Sequence, residues 1–392
     1  MSLRPTAVRT WLTLLLVFGA ARPVLTAPAA TDLSEPAPTA GDPRVAALLE
    51  TARKKAGVPA LAGAVVTTDG LQAIATSGWR KAGAAKAVTP DDSWHLGSET
   101  KAMTATLAGR LVERGLLRWN TTLAERFPGL ADDMHPDLRE VSLEQLLTHR
   151  AGLPANLRWS SFDRSDVRKA RREVVREATA RAPLHPPGSK VFYSNLGYVI
   201  AGAMIEQALD QPWEQAIVEE VFEPLGMRHV GFGGTGTPGE LDQPWGHFET
   251  GKPVPSNGPD TDNPPVLGPA GRVHAPLQDW ALFITDQLRG ARGEGRLLRP
   301  ETYRRIQTPV GDDRHAMGWI VVPRGWAGGP ALNHTGSNTM NYANVWIAPA
   351  KGFAILICCN QGGDGAFQAT DNAVAALIPV AAAQASAGDS GH

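Results

Sequence analysis

Strand-like segments sit at both ends of this chain and helix-like segments fill its middle, and that order restricts the fold more than any other feature. Two short strands, Leu61 to Thr67 and Leu71 to Ser77, follow an amphipathic helix marked by Val45, Ala46, Leu48, Leu49 and Ala52. Four more follow late: Gly318 to Val322, Ala331 to Thr335, Tyr342 to Ala348 and Phe353 to Cys359. An isolated hairpin is marginal in water, so the early strands are expected to join the late ones in one antiparallel sheet. Between them, Met103, Leu107, Leu111 and Leu116 with Ala102, Ala105 and Ala108 describe a strongly apolar helix from Ser98 to about Leu117, suited to the middle of a core. Further helices are expected at Ser142 to Leu147, Arg164 to Ala182, Ser194 to Ala208, Pro212 to Val221, Leu277 to Leu288 and Pro300 to Thr308, with a last one over Ala366 to Ala383. Val230 to Pro269, dense in Gly, Pro, Asp and Asn, reads as a long irregular excursion, and loops of that length in a compact domain tend to be functional or disordered. No internal repeat is visible.

The 392 residues are 43% hydrophobic and 20% charged, enough apolar material for a large core. Lys and Arg number 38 against 39 Asp and Glu, scattered rather than striped, which speaks against nucleic acid as a partner. The first residues run from Arg4 and Arg9 through an apolar stretch, Trp11 to about Ala21, to small residues around Ala27 and Ala29. That order reads as a signal peptide over residues 1–29, with the mature chain secreted or periplasmic and without a membrane span. Residues 30–42 read as a flexible leader and 384–392 as a disordered tail. The two cysteines, Cys358 and Cys359, are adjacent in an apolar strand; neighbours there point to opposite faces, so they are expected to pack rather than to bond each other.

The chemistry starts at Ser98-Glu99-Thr100-Lys101. A spacing of three at a helix start puts hydroxyl and amine one turn apart on one face, and a Lys that loses solvation can become a base for Ser98. The helix N-terminus adds a backbone N–H where an oxyanion would develop. Tyr193-Ser194-Asn195 supplies a phenol, which a cationic Lys would help to ionise and shuttle a proton, and an amide able to bind a substrate amide. His334-Thr335-Gly336-Ser337 ends a strand, where Gly336 permits close backbone approach and the Ser337 N–H offers a second oxyanion donor. Each element alone is common; their joint occurrence is specific.

In this order and at these separations, with Leu146 to Pro154 between the first two and Gly268-Pro269-Ala270-Gly271 before the third, the chain resembles the serine beta-lactamases and penicillin-binding DD-peptidases. Within them it is most similar to the class C-like branch with its esterases and D-aminopeptidases, over about Pro43 to Ala383. The resemblance implies an α+β, two-lobed fold over residues 43–383. An antiparallel sheet flanked by terminal helices (about 43–97 and 310–383) would face an all-helical lobe (about 98–309), with the active site between. It also implies that Ser98 is acylated, that Lys101 and Tyr193 share the roles of general base and acid, and that Asn195 with His334, Thr335, Gly336 and Ser337 binds substrate. No cofactor or metal is implied. The substrate would be a small molecule or peptide, including cell-wall peptide or a beta-lactam.

Two departures bear on specificity. Where beta-lactamases and DD-peptidases mostly carry Lys to hold a substrate carboxylate, this chain has His334, only partly charged near neutral pH. That ranks D-amino-acid peptidase or esterase activity ahead of beta-lactamase activity. Arg150 stands where a small Thr is common, as a substitute cation or a structural ion-pair partner, and Arg272 follows Gly271, narrowing the mouth of the site or bracing the long loop. The remaining histidines, including His95, His149 and His315, are assigned no chemistry. Besides a hydrolase, the fold also accommodates a sensor or cell-wall-binding protein that acylates without turnover, and a pseudoenzyme whose cleft only binds a partner.

Overall fold

The computed structural model describes residues 33, 35–311 and 313–389; residues 1–29, read above as a signal peptide, and the last three residues lie outside them. Seven antiparallel strands form the main sheet, in the order Thr39–Gly41, Gly70–Gly78, Ala60–Thr67, Phe353–Cys359, Tyr342–Ala348, Gly329–Ser337, Ile320–Arg324. The two ends of the sequence meet in its centre, where Leu61 to Thr67 pairs in register with Cys359 to Phe353. Both central strands are buried along their whole length. Alternation divides them between two cores. Leu61, Val65, Ile355, Ile357 and Cys359 face the terminal helices Pro43–Ala56 and Gly363–Asp389. Ala62, Ala64, Leu356 and Cys358 face the helices of the middle of the chain. Both thiols are therefore buried, free and on opposite faces.

The helix that follows Ser98 runs Thr100–Glu113 and is buried nearly all round, from Thr100 through Gly109 and at Leu111. A helix covered on every side is held by packing rather than by an amphipathic stripe. Beside it packs Asn195–Leu209, whose Leu196 to Glu206 are buried, and Leu277–Ala291, which lies against the main sheet, reaches it through Gln287 Nε2 on Thr106 Oγ1 at 3.3 Å. A buried ion cluster ties this region together. The guanidinium of Arg171, fully enclosed, donates to Glu206 at 2.6 Å and to both oxygens of Glu214, one at 3.0 Å, as well as to the carbonyls of Pro265 and Val266.

Several local expectations are corrected. The leader is not flexible to its end: Thr39–Gly41 is an edge strand paired with Gly70–Gly78, and buried Arg53 grips the carbonyls of Leu33 and Glu35 at 2.9 and 2.6 Å. The last helix continues to Asp389, so residues 384–389 are helical rather than a tail; the Ala-rich run from Ala381 has the intrinsic preference to prolong it. Three strands of two to four residues, Ser93–His95, Gly231–Phe232 and Val273–Pro276, form a second small sheet that no periodicity announced. It sits directly before Ser98 and closes the base of the long excursion.

Candidate active site

Ser98 lies in the single 3₁₀ turn Gly97–Glu99 that leads into the buried helix. Its hydroxyl is met from two sides, by Lys101 Nζ at 3.0 Å and by the Tyr193 hydroxyl at 2.8 Å. The turn brings Lys101 beneath Ser98, and Tyr193 arrives from the segment before Asn195–Leu209. Lys101 Nζ also donates to Asn195 Oδ1 at 2.8 Å and to the Ala270 carbonyl at 2.6 Å. Both are pure acceptors and occupy two N–H groups of the amine. In the neutral amine the remaining position, a lone pair, then faces Ser98.

Electrostatics favours that neutral form. Lys101 is fully enclosed, and burial lowers its pKa well below the usual lysine range, against the opposing charge of Glu99. Glu99 is itself enclosed; burial pushes its carboxyl well up, against the pull of Lys101, and its Oε1 has no hydrogen-bond partner. Tyr193 differs from expectation. Instead of ionising more readily beside Lys101, it is pushed up to about 12 by burial, more than the Ser98 hydrogen bond lowers it. It is a phenol that holds a proton.

The two backbones that carry the Ser98 and Ser337 amides approach closely. Gly97, at φ +53°, and Gly336 face each other so tightly that a Cβ on Gly97 would lie 2.5 Å from the Ser337 nitrogen, and one on Gly336 2.9 Å from the Ser98 nitrogen. Only glycine fits at either position, and the Ser98 and Ser337 amides are left neighbours.

A cleft of about 410 Å³ opens over these groups, lined by Ser98, His149, Tyr193, Asn195, His315, Trp319, Ile320, His334, Thr335, Ser337 and Tyr342 among others. Hollows of about 680 and 550 Å³ elsewhere contain no comparable nucleophile and base, so chemistry rather than size locates the site. Thus Ser98, Lys101, Tyr193, Asn195, His334, Thr335 and Ser337 are brought together, with Gly336 in the wall between Leu96 and Ser98. His334 bonds the Thr335 carbonyl through Nδ1 at 2.8 Å, and burial with the nearby Lys101 lowers its pKa to about 3.

Arg150 stays outside the cleft lining; it ties the carbonyls of Gly188 and Val310 together and approaches Asp313 at 3.6 Å, a structural role. Arg272 braces the long loop through Asp262 and the Pro259 carbonyl. Sequence reasoning overlooked His149, in the left-handed region at φ 58°. Its ring lies tilted against that of Tyr193 with centroids 4.5 Å apart, while its Nδ1 and carbonyl accept the amides of Ser194 and Phe192 on either side of that tyrosine. It also overlooked Asn156, which accepts from Asn195 Nδ2 at 2.9 Å. The segment Leu146 to Pro154 had been singled out, but no pattern within it marks His149. Among the described residues no group of three His, Cys, Asp or Glu side chains is placed to hold a metal ion.

Comparison with known proteins bears on the family and the fold. The family model described as Beta-lactamase matches residues 45–379. Penicillin-binding protein 4 of Amycolatopsis lactamdurans is 28% identical over 320 residues, covering 78% of this chain and 81% of that protein. Unguisins hydrolase ungD' of Aspergillus campestris is 26% identical over 297 residues; the match spans 70% of this chain but only 53% of that relative. The crystal structure of D-alanine carboxypeptidase AmpC from Burkholderia cenocepacia has the same fold, with a TM-score of 0.65 at 21% identity over 84% of this chain and 97% of that one.

Proposed function

The chain belongs to the Beta-lactamase family of serine hydrolases and penicillin-binding proteins, and on that premise we propose that it cleaves an ester or amide bond through a Ser98 acyl-enzyme. The observation that carries this reading is the double contact to Ser98 Oγ, from a desolvated amine at 3.0 Å and a protonated phenol at 2.8 Å. As Ser98 Oγ bonds the substrate carbonyl carbon, its proton passes to the Lys101 lone pair, and the carbonyl oxygen becomes an oxyanion between the Ser98 and Ser337 amides. The bond to the leaving group then breaks as Tyr193 gives it a proton, which the Lys101 ammonium replaces. Water attacks the ester by the reverse use of the same groups and frees Ser98. Replacement of Tyr193 by Phe is expected to slow acylation about 100-fold, within the range of general acid–base catalysis. Single-turnover cleavage of an alkyl ester or an amide, whose leaving group needs that proton, measures it, and an unchanged rate would leave Lys101 as the sole proton-transfer group.

The cleft favours a substrate with no carboxylate beside the scissile bond. Neither Lys nor Arg is among its lining residues, and His334, lowered to about 3, is uncharged at neutral pH. Esters and D-amino-acid amides with a neutral flank therefore rank ahead of beta-lactams and carboxylate-terminated peptides. Replacing His334 with Lys is expected to raise turnover of a carboxylate-bearing substrate, relative to its methyl ester, by about 10-fold, the size of one charge-assisted hydrogen bond. A ratio that does not move would remove the argument from His334. The basic, apolar and small-residue order of the first thirty residues supports export of the mature chain.

A further inference from the structure

The long excursion returns to the site at one buried carboxylate. The side chain of Asp262, fully enclosed, reaches three segments. Its Oδ2 is 2.9 Å from His95 Nε2 and accepts from Arg272 Nε at 3.3 Å; its Oδ1 accepts from Asn338 Nδ2 at 2.9 Å. His95 lies three residues before Ser98, and its Nδ1 accepts the Gly97 amide at 3.1 Å. Asn338 follows Ser337, and its Oδ1 accepts the Met340 and Asn341 amides, fixing the turn after the second oxyanion donor. Arg272 closes the Gly268–Gly271 turn whose Ala270 carbonyl holds Lys101.

We propose that Asp262 is a positioning residue for the oxyanion hole, clamping the segments that carry the Ser98 and Ser337 amides through His95 and Asn338. The proposal rests on the Ser98 acyl-enzyme reading. The chemistry of the clamp is directional. Because Gly97 N–H donates to His95 Nδ1, the ring proton must sit on Nε2 and point to the carboxylate. An amide at position 262 that still accepts from Asn338 turns its NH₂ toward His95 Nε2–H. Reversing the His95 tautomer relieves that clash only by placing Nδ1–H against Gly97 N–H. Either way the loss falls on Gly97, which has no room to shift against Ser337. Two oxyanion donors stay in register only while their backbones do, and losing one costs about 10²- to 10³-fold in kcat.

The test is Asp262→Asn in the full-length chain, with Asn338→Asp as a second variant. The latter keeps the acceptor for Met340 and Asn341 but sets a like charge against Asp262, so it breaks the other arm of the clamp. With para-nitrophenyl acetate, each variant is expected to lose about 100-fold in kcat with KM within about 3-fold, and phenylboronic acid, whose tetrahedral adduct needs the hole, is expected to bind more weakly by a similar factor. Nitrogen-15 NMR of labelled histidine is expected to show His95 protonated on Nε2 in the parent and altered in Asp262→Asn. Loss of kcat, KM and thermal midpoint together, with boronate affinity unchanged, would mean a merely structural carboxylate and overturn the proposal, as would parent-like kcat in both variants. Failure of the parent to form any Ser98 adduct would instead strike the acyl-enzyme reading. The His95 tautomer then still decides on the clamp, since a parent ring protonated on Nδ1 overturns it without reference to activity.

Discussion

Replacement of Ser98 by alanine is expected to abolish covalent labelling by an acylating reagent and to lower turnover by about 10⁴- to 10⁶-fold, the scale on which loss of a nucleophile is felt. No other hydroxyl in the cleft stands in the same position. Ser337 points its Oγ to the Asn341 carbonyl at 2.9 Å, and Lys101 Nζ bonds Ser98 Oγ rather than the hydroxyl of Ser337, Thr335 or Tyr342. The substitution leaves the fold alone. The turn around residue 98 is held by Thr100 Oγ1 on the Gly97 carbonyl at 2.8 Å and by the packing of Gly97 against Gly336, neither of which uses the Ser98 side chain. Intact-mass spectrometry of parent and variant with a fluorescent penicillin and with para-nitrophenyl acetate reads the result. A stoichiometric adduct on the alanine variant would remove Ser98 from its role.

The second large effect is at Lys101. Substitution by Met preserves the length and the apolar stem but removes the base, leaving the Asn195 and Ala270 acceptors without their donor. Acylation is expected to fall by about 10³- to 10⁴-fold, the upper part of the general-base range together with misplacement of Asn195. The pH profile gives the same residue a second signature. In the proposed mechanism the reactive form of Lys101 is the neutral amine, so the rate is expected to rise with pH as the ammonium titrates. Burial moves that rise well below the range of a free lysine, against the pull of Glu99. In the Met variant the rise attributable to Lys101 is absent. A parent rate that climbs only above pH 10 would show that the amine is cationic in the working enzyme and that the base lies elsewhere.

The main sheet was legible because its central strands are short, nearly continuous apolar runs bounded by turn residues, which placed early and late strands in one antiparallel sheet; that Ala60–Thr67 pairs with Phe353–Cys359 is seen only in the structure. The short strands at Ser93, Gly231 and Val273 were not legible, since two to four residues carry no period and their pairing is fixed by tertiary contact alone. The site divides in the same way. Ser98 and Lys101 are joined by helical spacing that a sequence displays, whereas the Ala270 carbonyl under Lys101, the His149 ring on Tyr193 and the Asp262 clamp unite positions 44 to 169 residues apart. The direction of the Tyr193 shift was misread for a related reason. A neighbouring cation can be inferred from sequence, but the desolvation of the phenol by the cleft walls, which outweighs it, cannot.

His149 shows how much of a site can rest on a residue with no direct role in proton transfer. Its left-handed backbone places a carbonyl and a ring nitrogen so that they take the amides flanking Tyr193, and its ring covers the phenol face. Burial, with Lys101, His334 and His315 nearby, lowers its pKa well below the ordinary histidine range, which keeps Nδ1 an acceptor near neutral pH. The phenol thus reaches Ser98 from a segment held on both sides, although Tyr193 itself lies at the open edge of the cleft.

The most direct test of the Ser98 acyl-enzyme is time-resolved intact mass of the mature protein mixed with para-nitrophenyl acetate and, separately, with a fluorescent penicillin, each beside Ser98→Ala. A Ser98-dependent acetyl adduct that forms within the first turnover and then decays with continued product release is the expected result, with the neutral ester turned over faster than the carboxylate-bearing lactam. An adduct that persists would contradict hydrolysis and point to a protein that acylates without turnover, and the absence of any Ser98-dependent adduct would contradict the nucleophile itself.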